Sequence, residues 1–244
     1  CYISKMSNSP DCDHIAKHKV CENCGLRLTN IICSASSEVL KILDAAKVTC
    51  TFKEGQNIFY AGNNPLGIFS VSKGLVKLEV SSSSGHSHTL RIVGPGGILG
   101  YRSLFADEPY QATAIALEDV ELCFIPKSDI LFIFKEHPDV ALRLLNHLSK
   151  DLNQAEKKWM DQIDHGAAER VTEALIFLRE KFTDQEWSRR DIAQWAGTTP
   201  ETVIRTLALL EKEHLIDQSD GRQIRILDLD RLKSAIVSRK SSKT

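Results

Sequence analysis

No apolar run in these 244 residues approaches the length of a membrane-spanning helix, and no signal-peptide pattern opens the chain. Both absences point to a cytoplasmic protein with no membrane partner. Neither sign of charge is in excess. The formal net charge of −1 argues against a protein that coats nucleic acid indiscriminately, but a site-specific reader needs only local basic residues. A nucleophile–base pair and a glycine-rich phosphate loop with its lysine are also missing, so no enzymatic activity is expected. With 42% apolar and 26% charged residues the chain is not a disordered one, and its length allows two domains with proper cores.

The most informative stretch runs from Ser188 to Ile216 and reads as two helices joined by a short turn. Ser188 caps the first, and Asp191, three residues on, completes a capping box. Ile192, Ala193 and Ala196 share one face, and Gly197 supplies the left-handed position that ends the helix. Thr199 caps the second helix, where Pro200 at the first position loses no hydrogen bond. Val203, Leu207 and Leu210 recur at helical spacing and point inward, leaving Pro200, Glu201, Ile204 and Arg205 outside. In a helix-turn-helix those outer positions touch base edges in the major groove. Arg205 has the fork that pairs with guanine, Glu201 can accept from cytosine, and Ile204 can cover a thymine methyl. Arg189, Arg190, Arg222 and Arg225 add local positive charge. Residues 217–229 read as a hairpin wing with Ile224 and Ile226 as its buried positions and Arg222 at a tip that can reach a phosphate. The tail carrying Arg239, Lys240 and Lys243 reads as frayed and solvated.

Upstream, four regions follow from pattern. Residues 1–34 lack sustained apolar periodicity and read as a cysteine-rich site segment or a disordered leader, not a core element. Residues 35–135 begin with a short helix, Ser36 to Ala46, and continue as short strands with glycine turns, which suggests a small antiparallel barrel or roll. Pro126 ends the strands. Residues 136–165 centre on a long helix, Pro138 to Asp164, whose Ala141, Leu145, Leu148, Leu152, Ala155, Trp159 and Gln162 form a heptad seam. A seam requires a partner, and a parallel pair about a two-fold axis, held by Leu145, Leu148, Leu152, Ala155 and Trp159, suits twin readers of twin half-sites. Residues 166–244 hold the helix-turn-helix and its wing.

The seven cysteines are unevenly placed: Cys1, Cys12, Cys21, Cys24 and Cys33 crowd the first segment, with Cys50 and Cys123 later. In a cytoplasmic chain this crowding points to metal or redox chemistry ahead of structural disulfides. Four thiolates, or Cys21 and Cys24 with His14 or His18, would suit zinc. Cys50, beside a strand, reads as structural.

A barrel, a dimer helix and a winged helix-turn-helix, in that order, resemble the catabolite activator/fumarate–nitrate regulator (CRP/FNR) superfamily of bacterial transcription factors. The carriers are Lys53-Glu54-Gly55-Gln56, Gly94-Pro95-Gly96, Ala116-Leu117-Glu118-Asp119, Cys123-Phe124-Ile125-Pro126 and, above all, Thr199 to Arg205. The resemblance implies an α+β chain with a cyclic-nucleotide-binding-like β-roll. It also implies a homodimer on a palindromic duplex, acting with RNA polymerase, with Glu201 and Arg205 reading the outer part of each half-site. The cyclic-nucleotide branch needs a glutamate on the ribose and an Arg-Ser on the phosphate. Ile98 and Gln111-Ala112 stand there instead and Arg102 lies on the wrong side, so cyclic AMP is not expected. The oxygen-sensing branch holds a [4Fe–4S] cluster on three N-terminal cysteines and one from the barrel. Cys21, Cys24, Cys33 and Cys123 are similar in place, with Cys12 a rival for the third position. A redox-, oxygen- or nitric-oxide-responsive regulator is therefore the leading expectation. The alternatives are a metal-free regulator with a small ligand near Gly97 to Tyr101, or a zinc or thiol switch.

Overall fold

The computed structural model describes residues 20–82, 85, 87–183, 185–219 and 223–241, with backbone alone at 235 and 237–241. Cys12, His14, His18 and Arg222, all of which carried expectations, lie outside the described residues. The chain divides into two compact units: Cys1–Ser81 with Leu90–Asp151, and Ser82–Thr89 with Leu152–Thr244.

In the first unit Ser36 caps α1 (Ser37–Ala46) by accepting from the Val39 amide, and the helix buries Val39, Leu40 and Leu43. Eight strands follow: β1 (Val48–Phe52), β2 (Asn57–Phe59), β3 (Gly67–Lys73), β4 (Val76–Ser81), β5 (Ser87–Val93), β6 (Ile98–Leu99), β7 (Thr113–Ala116) and β8 (Val120–Pro126). They form two four-stranded sheets ordered β1-β8-β3-β6 and β2-β7-β4-β5, with antiparallel pairing. Phe52, Val71, Leu99 and Leu122 from one sheet meet Phe59, Val76 and Ala114 from the other in the core between them. Because strand side chains alternate, β8 sends Val120, Leu122 and Phe124 into that core and Ile125 into a second one outside it. Gly67 is required where β3 crosses β8: a Cβ there would stand 2.2 Å from the Ile125 carbonyl oxygen.

The second core joins α1 and the loop before it to α3 (Lys127–Glu136) and the start of α4 (Pro138–Asp164), through Ile32, Leu40, Leu43, Ile130, Ile133, Val140 and Leu144. This corrects the reading of residues 1–34 as lying apart from any core, at least for the part from Val20 onward: Ile32 is wholly buried and Cys21 nearly so. Helix α3 was not expected either. Pro126 does end the strand, but with extended backbone it is also the residue from which the next helix starts. A further short helix, α2 (Tyr101–Ala106), begins after Gly100 at φ 83°.

The second unit contains the later part of α4, then α5 (Ala167–Lys181), α6 (Arg189–Ala196), α7 (Pro200–Lys212), the ribbon β9 (Ile216–Asp217) with β10 (Arg225–Ile226), and α8 (Leu229–Ser241). Ile224 and Ile226 are only half-buried, shallower than the wing expectation placed them. The frayed tail is also corrected for Arg239 and Lys240, while Lys243 lies outside the described residues. Residues 229–241 are helical, anchored by the fully buried Leu232 and by Lys233, whose ammonium lies 2.7 Å from Glu180. Among the described residues no helix is long and apolar enough to cross a membrane.

Candidate nucleic-acid interface and thiol cluster

Helix α6 is fixed at both ends by its own sequence. The Asp191 amide donates to Ser188 Oγ and the Ser188 amide to the Asp191 carboxylate, each at 3.1 Å, and Gly197 at φ 63° closes the helix. Thr199 then accepts from the Thr202 amide and Pro200 opens α7. Val203, Leu207 and Leu210 are wholly buried, which sets the rotation of α7 about its axis. Pro200, Glu201, Ile204 and Arg205 are consequently exposed, Ile204 at 55%. The Glu201 carboxyl is held below its ordinary range by its own amide, then by the Thr199 hydroxyl and the Arg205 charge, so it is an acceptor at neutral pH. Arg205 leans on Thr202 Oγ1 at 3.4 Å. An ionised acceptor and a guanidinium one turn apart, with an apolar side chain between them, suit the edges of bases.

Arg190 is exposed beside this face. Arg189 is half-buried and donates to Gln218 Oε1 at 3.1 Å, and Gln218 is in turn held by both oxygens of Glu211. It ties α6 to the base of the ribbon, a role that spacing alone did not suggest. A second tie is Arg170, which donates to the carbonyls of His165, Ala196 and Gly197. Lys158 of α4 sits 3.8 Å over the Trp195 ring and donates to the Thr89 carbonyl.

Cys21, Cys24, Cys33 and Cys123 interact with one another. Cys33 hydrogen-bonds Cys21, and Cys24 and Cys123 lie within electrostatic reach of Cys33. Hydrogen bonding from Cys33 holds Cys21 below the usual thiol range against its burial, with Lys47 helping. The same bond, with burial, pushes Cys33 up. Burial raises Cys123. Lys47 Nζ stands 2.9 Å from Cys21 Sγ and 2.8 Å from Asp44 Oδ1, while Asp44 also accepts the Cys21 amide. Asn30 folds the loop: its amide nitrogen donates to Ser70 Oγ and the Gly96 carbonyl, and its oxygen accepts the amides of Ile32 and Cys33. Asn30, Asp44 and Lys47 were missed in the sequence, where each is an unremarked polar residue; only the loop's need for internal acceptors could have flagged Asn30. Among the described residues no three His, Cys, Asp or Glu are arranged to hold a single metal ion. Cys50 is buried inside the barrel core.

Along α4, Leu145, Leu152, Ala155 and Trp159 are exposed, joined by Leu142, Met160 and Ile163, which the heptad reading did not single out. Leu148 differs from the expectation: it is partly buried against its own chain's core, because the start of α4 must also pack on α1 and α3. In the barrel, Ile98 is a buried core residue and Gln111 is exposed. Nearby, Arg91 binds Asp151 of α4 through two nitrogens at 2.5 and 3.0 Å, and Tyr101 donates to the same carboxylate.

Two family models match the chain: a cyclic nucleotide-binding domain over residues 49–137 and a Crp-like helix-turn-helix domain over residues 169–235. The cyclic AMP receptor protein of Thermus thermophilus is 31% identical over 173 residues, covering 70% of this chain and 80% of that one. The transcriptional regulator SdrP of the same organism is 31% identical over 201 residues, covering 78% and 95%. A solved CRP/FNR-family transcriptional regulator from Thermus thermophilus is similar with a TM-score of 0.67 and 30% identity, over 78% of this chain and 99% of that one. With the two recognised domains in this order and relatives 31% identical over most of their length, the chain belongs to the CRP/FNR family of DNA-binding transcription regulators.

Proposed function

We propose that the protein is a homodimer that reads a palindromic promoter site through Glu201, Ile204 and Arg205, and works with RNA polymerase there. Thr199, Pro200, Arg189 and Arg190 place that helix on the duplex; Arg222 was expected to reach a phosphate, and its position is not described. The observation that carries the reading is the orientation of α7: its inner face is sealed by Val203, Leu207 and Leu210, and an exposed carboxylate, isoleucine and guanidinium face outward. The exposed Leu145, Leu152 and Trp159 on α4 supply the surface for a second copy. The test is fluorescence anisotropy on palindromic duplexes selected from a random pool. Arg205→Ala should cost about 1–3 kcal/mol and relax the preference at one position of each half-site. Unchanged affinity and sequence preference would sink the proposal.

For the signal, the donor chemistry of the four thiols fits an iron–sulfur cluster on Cys21, Cys24, Cys33 and Cys123. Each thiolate of such a cluster binds its own iron, so the sulfurs need not converge on one point as they must around zinc. The buried Lys47 ammonium fits too, since it offsets the negative charge that four thiolates bring. When bound, the cluster would supply an oxidant-labile group. The chain's own part is to seat the loop through Asn30, compensate charge through Lys47, and keep Asp44 on that lysine. A second reading, a Cys21–Cys33 dithiol switch without metal, is favoured by the hydrogen bond between those two sulfurs. Anaerobic reconstitution with iron and sulfide separates them: a visible chromophore with about four irons per chain supports the cluster. A colourless chain that forms a Cys21–Cys33 disulfide on air exposure supports the switch.

A further inference from the structure

The end of α1 delivers two opposite charges to the thiols. Asp44 lies in its last turn, and Lys47 caps it, the Lys47 amide donating to the Leu43 carbonyl at 2.9 Å. Leu40 and Leu43 are packed into the core, so the backbone that carries both charges is fixed. The Lys47 side chain is 5% exposed and that of Asp44 21%, a depth at which water and salt screen a charge poorly. The ammonium stands 2.9 Å from Cys21 Sγ, and its charge also reaches Cys123 on β8. Glu121 reaches Cys123 too, while accepting from the Ser72 hydroxyl on β3. Asp44 pulls against the lysine: it stands 2.8 Å from the same ammonium and accepts the Cys21 amide at 2.9 Å. Compensating the charge of four thiolates asks only for the cation. A carboxylate held against both that cation and the backbone of Cys21 takes part of the compensation back.

We propose that the Asp44–Lys47 pair sets how readily dioxygen takes an electron from iron bound at these thiols. The inference rests on the iron–sulfur reading and says what regulates that site. Iron–sulfur potentials respond to net charge and to hydrogen bonds on the ligand sulfurs. When dioxygen accepts one electron and becomes superoxide, one ferrous iron becomes ferric and the site loses one negative charge. Lys47 opposes that loss, because its attraction for the site weakens. Asp44 favours it, because its repulsion is relieved. Two opposed charges at fixed positions place the threshold between the values that either would give alone. Sensitivity to the oxidant is then carried by the end of α1, and the cysteines only hold the group.

The full chain, reconstituted anaerobically with iron and sulfide and then moved to air-saturated buffer, tests the pair through the rate at which its visible absorbance decays. A midpoint potential from reductive titration is read beside it. K47M should bleach several-fold faster than the native chain and show a lower potential. D44N should bleach more slowly and show a higher one, and K47R, which keeps the charge, should restore the native rate. Loosened packing would speed bleaching in both K47M and D44N, so shifts of the same sign in those two, or no shift in either, overturn the proposal. Should K47M take up no iron, D44N decides alone, and a rate at or above the native one overturns it. A native chain that stays colourless removes the iron–sulfur reading and the role of the pair with it. That outcome is distinct from a coloured chain whose bleaching ignores both substitutions, which removes the role of the pair alone.

Discussion

Asn30 is the residue on which the cysteine loop turns. All of its polar capacity is used inside the fold, on Ser70, Gly96, Ile32 and Cys33. Asn30→Ala removes those partners and leaves two amides facing a buried space, which should cost about 1–3 kcal/mol. Urea unfolding would register it, and an unchanged midpoint would refute the role. Lys158 gives a pH-dependent counterpart. Burial lowers its pKa to about 8, while the unfolded side chain titrates near 10.5. Between those values the unfolded chain binds a proton that the folded chain has released. This group's contribution to stability is therefore present in full above about pH 10.5 and is lost as pH falls through about 8. Because the ammonium lies over Trp195, tryptophan fluorescence should titrate with a midpoint near pH 8. Lys158→Met should abolish that transition; its persistence would assign it elsewhere.

Elements differed in how plainly the sequence announced them. Helices α6 and α7 could be read because both starts, the glycine turn and the inward apolar spacing are separate local signals that agree. Strand β8 could be read as a closing strand, but the neighbourhood of Cys123 depends on which face of the sheet receives the N-terminal loop, and no local rule specifies that. Helix α3 escaped because Ile130, Leu131, Phe132, Ile133 and Phe134 are contiguous, so the apolar run shows no period. Helix α8 escaped because Leu232 is its one wholly buried described side chain. For α4, heptad spacing named a line of residues without saying which would face their own chain, and Leu148 faces inward. The exposed set makes the sharper prediction. Leu152→Glu with Trp159→Glu should convert a dimer to single chains by sedimentation velocity while leaving the circular dichroism spectrum intact. A native protein that already sediments as one chain would exclude pairing through α4.

At the level of the whole molecule, the proposed sensing by the thiols would have to be linked to DNA reading by a difference in affinity between states. Chain loaded anaerobically with iron and sulfide should bind its selected palindrome more tightly than the metal-free chain, by roughly 5–150-fold, the usual range of such coupling. Equal affinities would mean that the thiols and the DNA face are energetically unconnected. Within the second unit, part of the means is already built. Arg170 grips the carbonyl of His165, just past the end of α4, and the carbonyls of Ala196 and Gly197 in the turn before α7. A guanidinium is flat and stiff, and three acceptors on one such plate leave little slack between the parts it joins. Twisting the stem by a few degrees should therefore steer the reading head by much the same amount, as a key turns its bolt.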